Sequence, residues 1–129
     1  MARRRMFSLD IVETDAFLDL PVKAQLLYFH LGMHADDDGF IASPRRISSM
    51  IGATADDLKC LTDTGFVIGF DSGVCYIRDW HVHNYIRPDR YTPTRYQDEL
   101  LSLSPDIADG IPDVIPSAST GKDRTGQYR

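Results

Sequence analysis

Apolar residues recur at helical spacing in the first third of the chain. The stripe repeats at steps of three and four residues and consists of Val22, Leu26, Phe29, His30 and Met33, with Leu27 and Leu31 beside them. This spacing predicts a helix that buries the stripe, with His30 as a packed core histidine. Pro21 suits the first turn of that helix, where its missing N–H would have no partner in any case. An earlier short helix is predicted over residues 15–20, packing on this one.

A tight turn, a short strand and a second helix follow. The sequence DDDG at residues 36–39 predicts the turn, and residues 40–41 predict the strand. Ser43 and Pro44 supply an N-cap and a first-turn proline for a helix that ends at Gly52. The buried face of this helix is predicted to consist of Ile47, Met50 and Ile51.

A further helix start comes directly afterwards. Thr54, with Asp57 three residues later, resembles a capping box and opens a helix that passes through Leu58 and Leu61 and ends near Gly65. Two short helices joined by about three residues are typical of a helix-turn-helix.

A β-hairpin is predicted next. Residues 66–70 and 74–80 are rich in aliphatic and aromatic side chains, and they flank a tip whose Gly73 suits a left-handed turn position. A last helix is predicted to start at residues 92–94 and to run to Leu103. We therefore predict an α+β, mainly α, fold: a winged helix-turn-helix with a C-terminal helix, covering residues 1–103.

The composition of the remaining residues, 104–129, predicts a disordered tail. They consist mainly of Pro, Ser, Asp, Gly and Thr and show neither helical nor strand periodicity. The whole chain has 14 Lys and Arg against 19 Asp and Glu, a net charge of -5. Residues 1–103 hold 11 of these cations and 15 of the acids, so the tail is not the source of the negative charge. This balance argues against nonspecific nucleic-acid binding by the whole surface.

Enzymatic and membrane functions receive no support from the sequence. No apolar run approaches the roughly 20 residues of a membrane span, and acidic residues follow the basic start where a signal peptide needs apolar ones. Cys60 and Cys75 form neither a disulfide framework nor a metal-ligand spacing. We expect a cytoplasmic protein of a bacterial host cell, with no catalytic site, cofactor or membrane partner.

Two stretches of the sequence partly match metal-binding motifs but lack required ligands. Aligning Gly39 with the glycine of a calcium loop puts His34 and Arg45 at the first and last ligand positions, where acids are required. On an extended segment, His81 and His83 would share a side with Asp79, but a hydrolytic metal site needs further carboxylates. We predict no metal site.

Five blocks of sequence carry a family resemblance. They lie at residues 15–18, 27–33, 35–41, 51–53 and 80–91, the last reading WHVHNYIRPDRY. Together they resemble, in order, the N-terminal domain of phage replisome organizers, which are related to replication-initiation proteins of the DnaD group. The resemblance implies a winged-helix domain that acts in initiation of phage DNA replication, by binding origin DNA or by assembling the primosome.

The reading helix expected of such a domain has few cations. Recognition helices need donors for base edges and phosphates. The solvent side of residues 54–64 shows Asp56 and Asp63 against Lys59, and the hairpin tip at residues 71–73 has no cation. Any DNA contact is therefore predicted to be local and to lie mainly elsewhere.

Residues 80–96 are the most suggestive segment, because tyrosines alternate with arginines there. Aromatic rings can stack on unpaired bases while guanidinium groups neutralise phosphates. Equally, the tyrosines can pack on the sheet while the arginines pair with Asp79, Asp89 and Asp98. The predicted DNA-binding residues are Arg45, Arg46, Lys59, Arg78, Arg87, Arg90, Tyr91 and Arg95.

Two further groups of cations have competing interpretations. Arg45 and Arg46 oppose the helix dipole in the first turn of their helix, so an anionic partner is expected. Pairing with the acids at residues 36–38 is favoured over pairing with DNA phosphate. The arginines at residues 3–5 are expected to be solvated rather than to form a DNA-reaching arm.

We thus predict a non-enzymatic DNA-binding protein of replication initiation. Its expected partners are DNA, other replication proteins of phage or host, and further copies of itself. The alternative is an assembly module of the primosome that self-associates through the winged helix without binding DNA.

Overall fold

The computed structural model of the protein describes residues 4–103, which fold into helices and one small antiparallel sheet. The helices are α1 (Leu9–Val12), α2 (Asp15–Leu18), α3 (Val22–His34), α4 (Pro44–Met50), α5 (Ala55–Asp63), α6 (Trp80–His83) and α7 (Gln97–Ser102). The strands are β1 (Phe40–Ile41), β2 (Val67–Gly69) and β3 (Cys75–Ile77), and a 3-10 turn spans Pro88–Arg90. This is an α+β, mainly α, fold, as predicted. The predicted tail lies outside the described residues.

Helix length bears on membrane insertion, because a spanning helix needs about 20 apolar residues. The longest helix, α3, has 13 residues. Within residues 4–103, no helix has the length and apolar character needed to cross a bilayer.

Helix α3 buries only part of the wide apolar stripe that its spacing predicts. Leu27 and Leu31 of that stripe are buried, together with Ala24 and Tyr28. The other side of the stripe is largely exposed, at 80% for Val22, 44% for Leu26 and 46% for Met33. His30 is only half-buried, so the prediction of a core histidine was wrong. Both faces are apolar, and the core takes the one that carries the small Ala24 and the hydrogen-bonding Tyr28.

Helices α4 and α5 follow their predicted bounds closely. The capping box is confirmed: Thr54 Oγ1 accepts from the Asp57 N–H, and Asp57 Oδ2 accepts from the Thr54 N–H at 2.8 Å. The predicted buried face of α4 was wrong at Met50, which is 65% exposed. Ser48 is buried instead and donates a hydrogen bond to the Thr54 carbonyl, so a polar contact joins the two helices where an apolar one was expected.

The sheet has the order β1-β3-β2, with Phe40 opposite Tyr76 and Val67 opposite Ile77. Gly73 has a φ of 91° at the hairpin tip, as its position predicted. All three residues of β3, the central strand, are buried. The second strand was predicted to continue to residue 80, but it ends at Ile77.

The segment that precedes the last helix is not helical. The last helix was predicted to start at residues 92–94 and starts only at Gln97. Residues 91–94 bond to the acidic turn at residues 36–38 and are therefore not helical. Leu100 and the half-buried ring of Tyr96 then join the core.

Candidate nucleic-acid interface

The acidic turn, residues 36–38, is an internal anchor and not a surface patch. Asp37 and Asp38 are 1% and 0% exposed. Asp36 Oδ1 accepts from the N–H groups of Asp38 and Phe40, which fixes the turn itself. Gly39 completes it with a φ of 93°, and a Cβ there would lie 2.6 Å from the Trp80 ring. Carboxylates that accept backbone N–H bonds are satisfied without solvent.

The remaining oxygens of the acidic turn hold the C-terminal arm, which we define as residues 84–96. Tyr91 donates its hydroxyl to Asp38 Oδ2 at 2.6 Å, and the Thr94 N–H donates to the same oxygen at 2.9 Å. The Thr94 hydroxyl donates to Asp36 Oδ2 at 2.6 Å, and the Thr92 N–H donates to Asp37 Oδ2 at 3.0 Å. Four hydrogen bonds therefore fix the path of this arm.

Burial raises the pKa of one carboxyl group in the acidic turn, that of Asp38. Desolvation raises the pKa of Asp38 to about 6, although the hydrogen bonds from Tyr91 and Thr94 favour the charged form. Asp38 Oδ1 is buried and has no partner within residues 4–103.

The N-terminal arm, residues 4–8, is held at the same place by Arg5. The expectation that this arginine is solvated was wrong: its side chain is 1% exposed. Nη2 donates to the Ala35 carbonyl at 2.8 Å and lies 3.2 Å from Asp37 Oδ1, in ion-pair contact without hydrogen-bond alignment. The guanidinium carbon also lies 5.4 Å from the Trp80 ring centre. A buried charge requires such compensation.

Two polar side chains near α6 complete this attachment. Asn84 accepts from the Met6 N–H at 2.8 Å and donates back to the Met6 carbonyl, while His83 Nδ1 accepts from the Ser8 N–H at 2.8 Å. Since Nδ1 is an acceptor, the neutral ring carries its proton on Nε2, which lies 2.6 Å from the Tyr28 hydroxyl. Burial lowers the pKa of His83, with a smaller opposing effect of Asp79.

These positions bear on the metal interpretation that was considered for the histidines. His81 and His83 lie on one turn of helix, in α6, and not on an extended segment. Both ring nitrogens of His83 are engaged by Tyr28 and Ser8. Within residues 4–103, no group of three or more His, Cys, Asp or Glu side chains could hold a metal ion.

The predicted DNA-binding residues of the C-terminal arm differ in their surroundings. Arg87, Arg90 and Arg95 are exposed. Arg87 pairs with the equally exposed Asp89 at 3.4 Å, whereas Arg90 has no ion pair within the described part of the chain. Arg95 lies over the Tyr96 ring at 5.9 Å. Within residues 4–103, none of these arginines forms the ion pair with Asp98 that the packing alternative included. The arm therefore carries three outward guanidinium groups on an internally fixed backbone.

Tyr91 and Arg78 are partly committed to the fold. The hydroxyl of Tyr91 binds Asp38 and its side chain is half-buried. Arg78 donates to Asp79 at 3.0 Å and lies over the Phe66 ring at 5.4 Å, as the packing alternative expected. Both side chains are therefore better placed to support the neighbouring exposed residues than to contact DNA themselves.

Arg45 and Arg46 lie in the first turn of α4, on the solvent side. Their expected pairing with the acidic turn was wrong, because those carboxylates are occupied by Arg5 and the C-terminal arm. Neither guanidinium forms an ion pair within residues 4–103. Ser43 makes no side-chain cap, so the start of α4 presents positive charge without a compensating acid.

Helix α5 and the hairpin tip are acidic on their outer sides. Lys59 pairs with Asp63 at 2.8 Å, and both side chains are more than 60% exposed. At the tip, the Ser72 hydroxyl donates to Glu99 at 2.7 Å, which ties the hairpin to the first turns of α7. The cation of α5 is thus neutralised locally by Asp63.

Sequence reasoning missed Arg5, Thr94 and His83 as the residues that organise this region. A cation beside the apolar Met6 and Phe7 was a usable signal for Arg5, since a buried arginine needs an acid and the chain offers three in one turn. Nothing in the spacing linked residue 94 to residues 36–38.

The chain was also compared with known proteins. No protein-family model, curated protein or solved structure matches it.

Proposed function

We propose that this chain is a DNA-binding winged-helix protein that acts in initiation of phage DNA replication. The carrying observation is the C-terminal arm: Arg87, Arg90 and Arg95 project from a backbone that buried carboxylates hold in place. Preorganised guanidinium groups bind phosphate without a large ordering cost. Arg45 and Arg46 at the start of α4 add two uncompensated cations.

Three features support the winged-helix assignment. The element order from α3 to β3 is helix, strand, helix, helix, hairpin, and the sheet order is β1-β3-β2. The five residues 70–74 join β2 to β3 through a turn at Gly73. The role in replication rests on the resemblance of the five sequence blocks to phage replisome organizers. In this proposal, α5 is not the main reading element, because Asp56 and Asp63 outnumber Lys59 on its outer side.

The proposal is tested by fluorescence anisotropy with labelled duplex and single-stranded DNA over a salt series. Phosphate contacts release counterions, so binding should weaken steeply with salt. Replacing Arg87 and Arg90 together by Ala should weaken binding and lower the salt slope by about 2 on duplex DNA, since each phosphate contact contributes about one unit.

The matched control removes two exposed cations elsewhere, Arg4→Ala with Lys23→Ala, and should leave binding largely unchanged. An equal loss in both double variants would show that only net charge matters. A loss confined to the control would transfer the interface to the N-terminal arm and α3. No salt-sensitive binding by the wild-type chain would exclude the DNA-binding function.

The acidic outer side of α5 favours a second candidate, an assembly module that self-associates through the winged helix without binding DNA. It predicts a defined oligomer by light scattering together with no DNA binding. Those two measurements on one wild-type sample distinguish the candidates.

A further inference from the structure

Helix α3 has two apolar faces on opposite sides, and the fold uses only one. With about 3.6 residues per turn, Val22, Leu26, Phe29 and Met33 form one stripe at steps of four, three and four residues. The opposite side carries Leu27 and Leu31 and is fully buried. The outer stripe is exposed except at Phe29, which Phe7 and Phe17 partly cover.

The outer stripe continues onto the neighbouring short helix α2. Leu18 at the end of α2 is 54% exposed, and Gln25 Nε2 donates to its carbonyl, which joins it to α3. We call this surface, formed by Leu18, Val22, Leu26 and Met33, the α3 outer face. Four large apolar side chains on adjacent elements are more than the scattered single residues of an ordinary surface.

The charges around the α3 outer face have one dominant sign. Between residues 8 and 34 the acids are Asp10, Glu13, Asp15 and Asp19, all exposed. The single Lys or Arg in that range is Lys23, whose ammonium donates to the Gly52 carbonyl at the edge of α4. The apolar stripe therefore has an acidic border at the α1–α2 end.

We infer that the α3 outer face is a docking site for a basic amphipathic helix of another protein. An apolar seam at helical spacing fits the stripe, and lysines or arginines flanking that seam would meet the acidic border. A second copy of this chain fits less well, since it would bring a like-charged border of four acids against this one. The inference goes beyond DNA binding and uses none of the cations assigned to it.

The test uses a defined probe, a labelled 18-residue helical peptide with a leucine seam and lysine flanks, measured by anisotropy against the full chain. A peptide with the same seam and glutamate flanks is its charge control. Binding of the lysine peptide alone is expected. No binding of the lysine peptide, or equal binding of both peptides, would overturn the inference.

Two double variants locate the binding. Val22→Gln with Met33→Gln should weaken lysine-peptide binding about tenfold, because two partly exposed apolar side chains lose their contacts. Leu101→Gln with Val82→Gln removes equally exposed apolar side chains from α7 and α6 and should have no effect. Equal losses in both would show nonspecific apolar binding and contradict the site.

The acidic border and the second copy are checked separately. Asp15→Asn with Asp19→Asn should weaken binding of the lysine peptide and leave thermal unfolding unchanged. In light scattering, the Val22→Gln, Met33→Gln variant should have the same particle mass as the wild-type chain. A wild-type dimer that becomes a monomer in this variant would assign the α3 outer face to a second copy and overturn the inference. DNA affinity should be the same in all these variants, so failure here is distinct from failure of DNA binding.

Discussion

The acidic turn at residues 36–38 and the acidic outer side of α5 have the same sign of charge but opposite surroundings. In the turn, every carboxylate bonds to backbone, hydroxyl or guanidinium groups of other segments, and two of the three side chains are almost fully buried. On α5, the exposed carboxylate of Asp63 pairs with the equally exposed ammonium of Lys59. The turn therefore contributes to the stability of the fold, whereas α5 contributes negative charge to the surface. The net charge of -5 therefore overstates how acidic the surface near the C-terminal arm is.

The largest expected effect on the free energy of unfolding comes from Asp37→Ala. A mild effect would contradict the difference between the buried acidic turn and the exposed acids of α5. Removing this carboxylate leaves Arg5 buried without its counter-charge and the Thr92 N–H without an acceptor. Loss of one partner of a buried pair costs about 3 kcal/mol or more. Urea unfolding followed by circular dichroism measures the change. A loss below about 1 kcal/mol would mean that solvent reaches Arg5 and that the turn is not an internal anchor.

A smaller effect is expected from Asp38→Asn, and it depends on pH. Because burial raises the pKa of Asp38 to about 6, the folded protein holds a proton between about pH 4 and 6 that the unfolded chain has released. Its contribution to stability is present below about pH 4 and is lost as the pH rises through 6. The amide should therefore stabilise the protein by about 2 kcal/mol at pH 7 and change little at pH 4.

His83 changes the stability of the fold with pH in the direction opposite to Asp38, and this provides an internal check on the Asp38 prediction. Burial lowers its pKa, so its contribution is present above about pH 6.5 and is lost as the pH falls, when the unfolded chain takes up the proton more readily. In the wild-type chain the two dependences partly cancel. Asp38→Asn should expose the acid-side loss of stability that His83 causes. A curve for Asp38→Asn parallel to that of wild type would contradict the raised pKa.

The comparison also shows what the sequence could and could not predict. The element order from α2 to β3, the capping box of Thr54 and Asp57 and the turn at Gly73 are local, because the interacting groups lie within a few residues, and these were predicted correctly, whereas α1 and α6 were not predicted. The buried face of α3 was predicted only at Leu27 and Leu31, since both sides are apolar and the choice depends on how Tyr28 meets His83, 55 residues away. The pairings of Arg5 with Asp37 and of Thr94 with Asp36 are equally nonlocal.

For the candidate interface, the sequence placed the arginines of the arm correctly on the surface but could not assign their supports. The alternation of Arg87, Arg90 and Tyr91 was visible, whereas the bond from Tyr91 to Asp38 joins positions 53 residues apart. A run of acidic residues such as 36–38 does not show by itself whether the carboxylates are exposed or buried, because that depends on partners far away in the sequence.

The smallest expected effect comes from Asp63→Ala, the counterpart of Asp37→Ala on α5. Its carboxylate and the Lys59 ammonium are 62% and 68% exposed, so water solvates both when the pair is broken. Urea unfolding should give the wild-type midpoint within error, at low and at high salt. DNA binding should be equal to wild type or slightly tighter, because one acid is removed and Lys59 is released from its pair. A marked loss of stability would show that α5 depends on this ion pair, and the contrast between the two acidic regions would then fail.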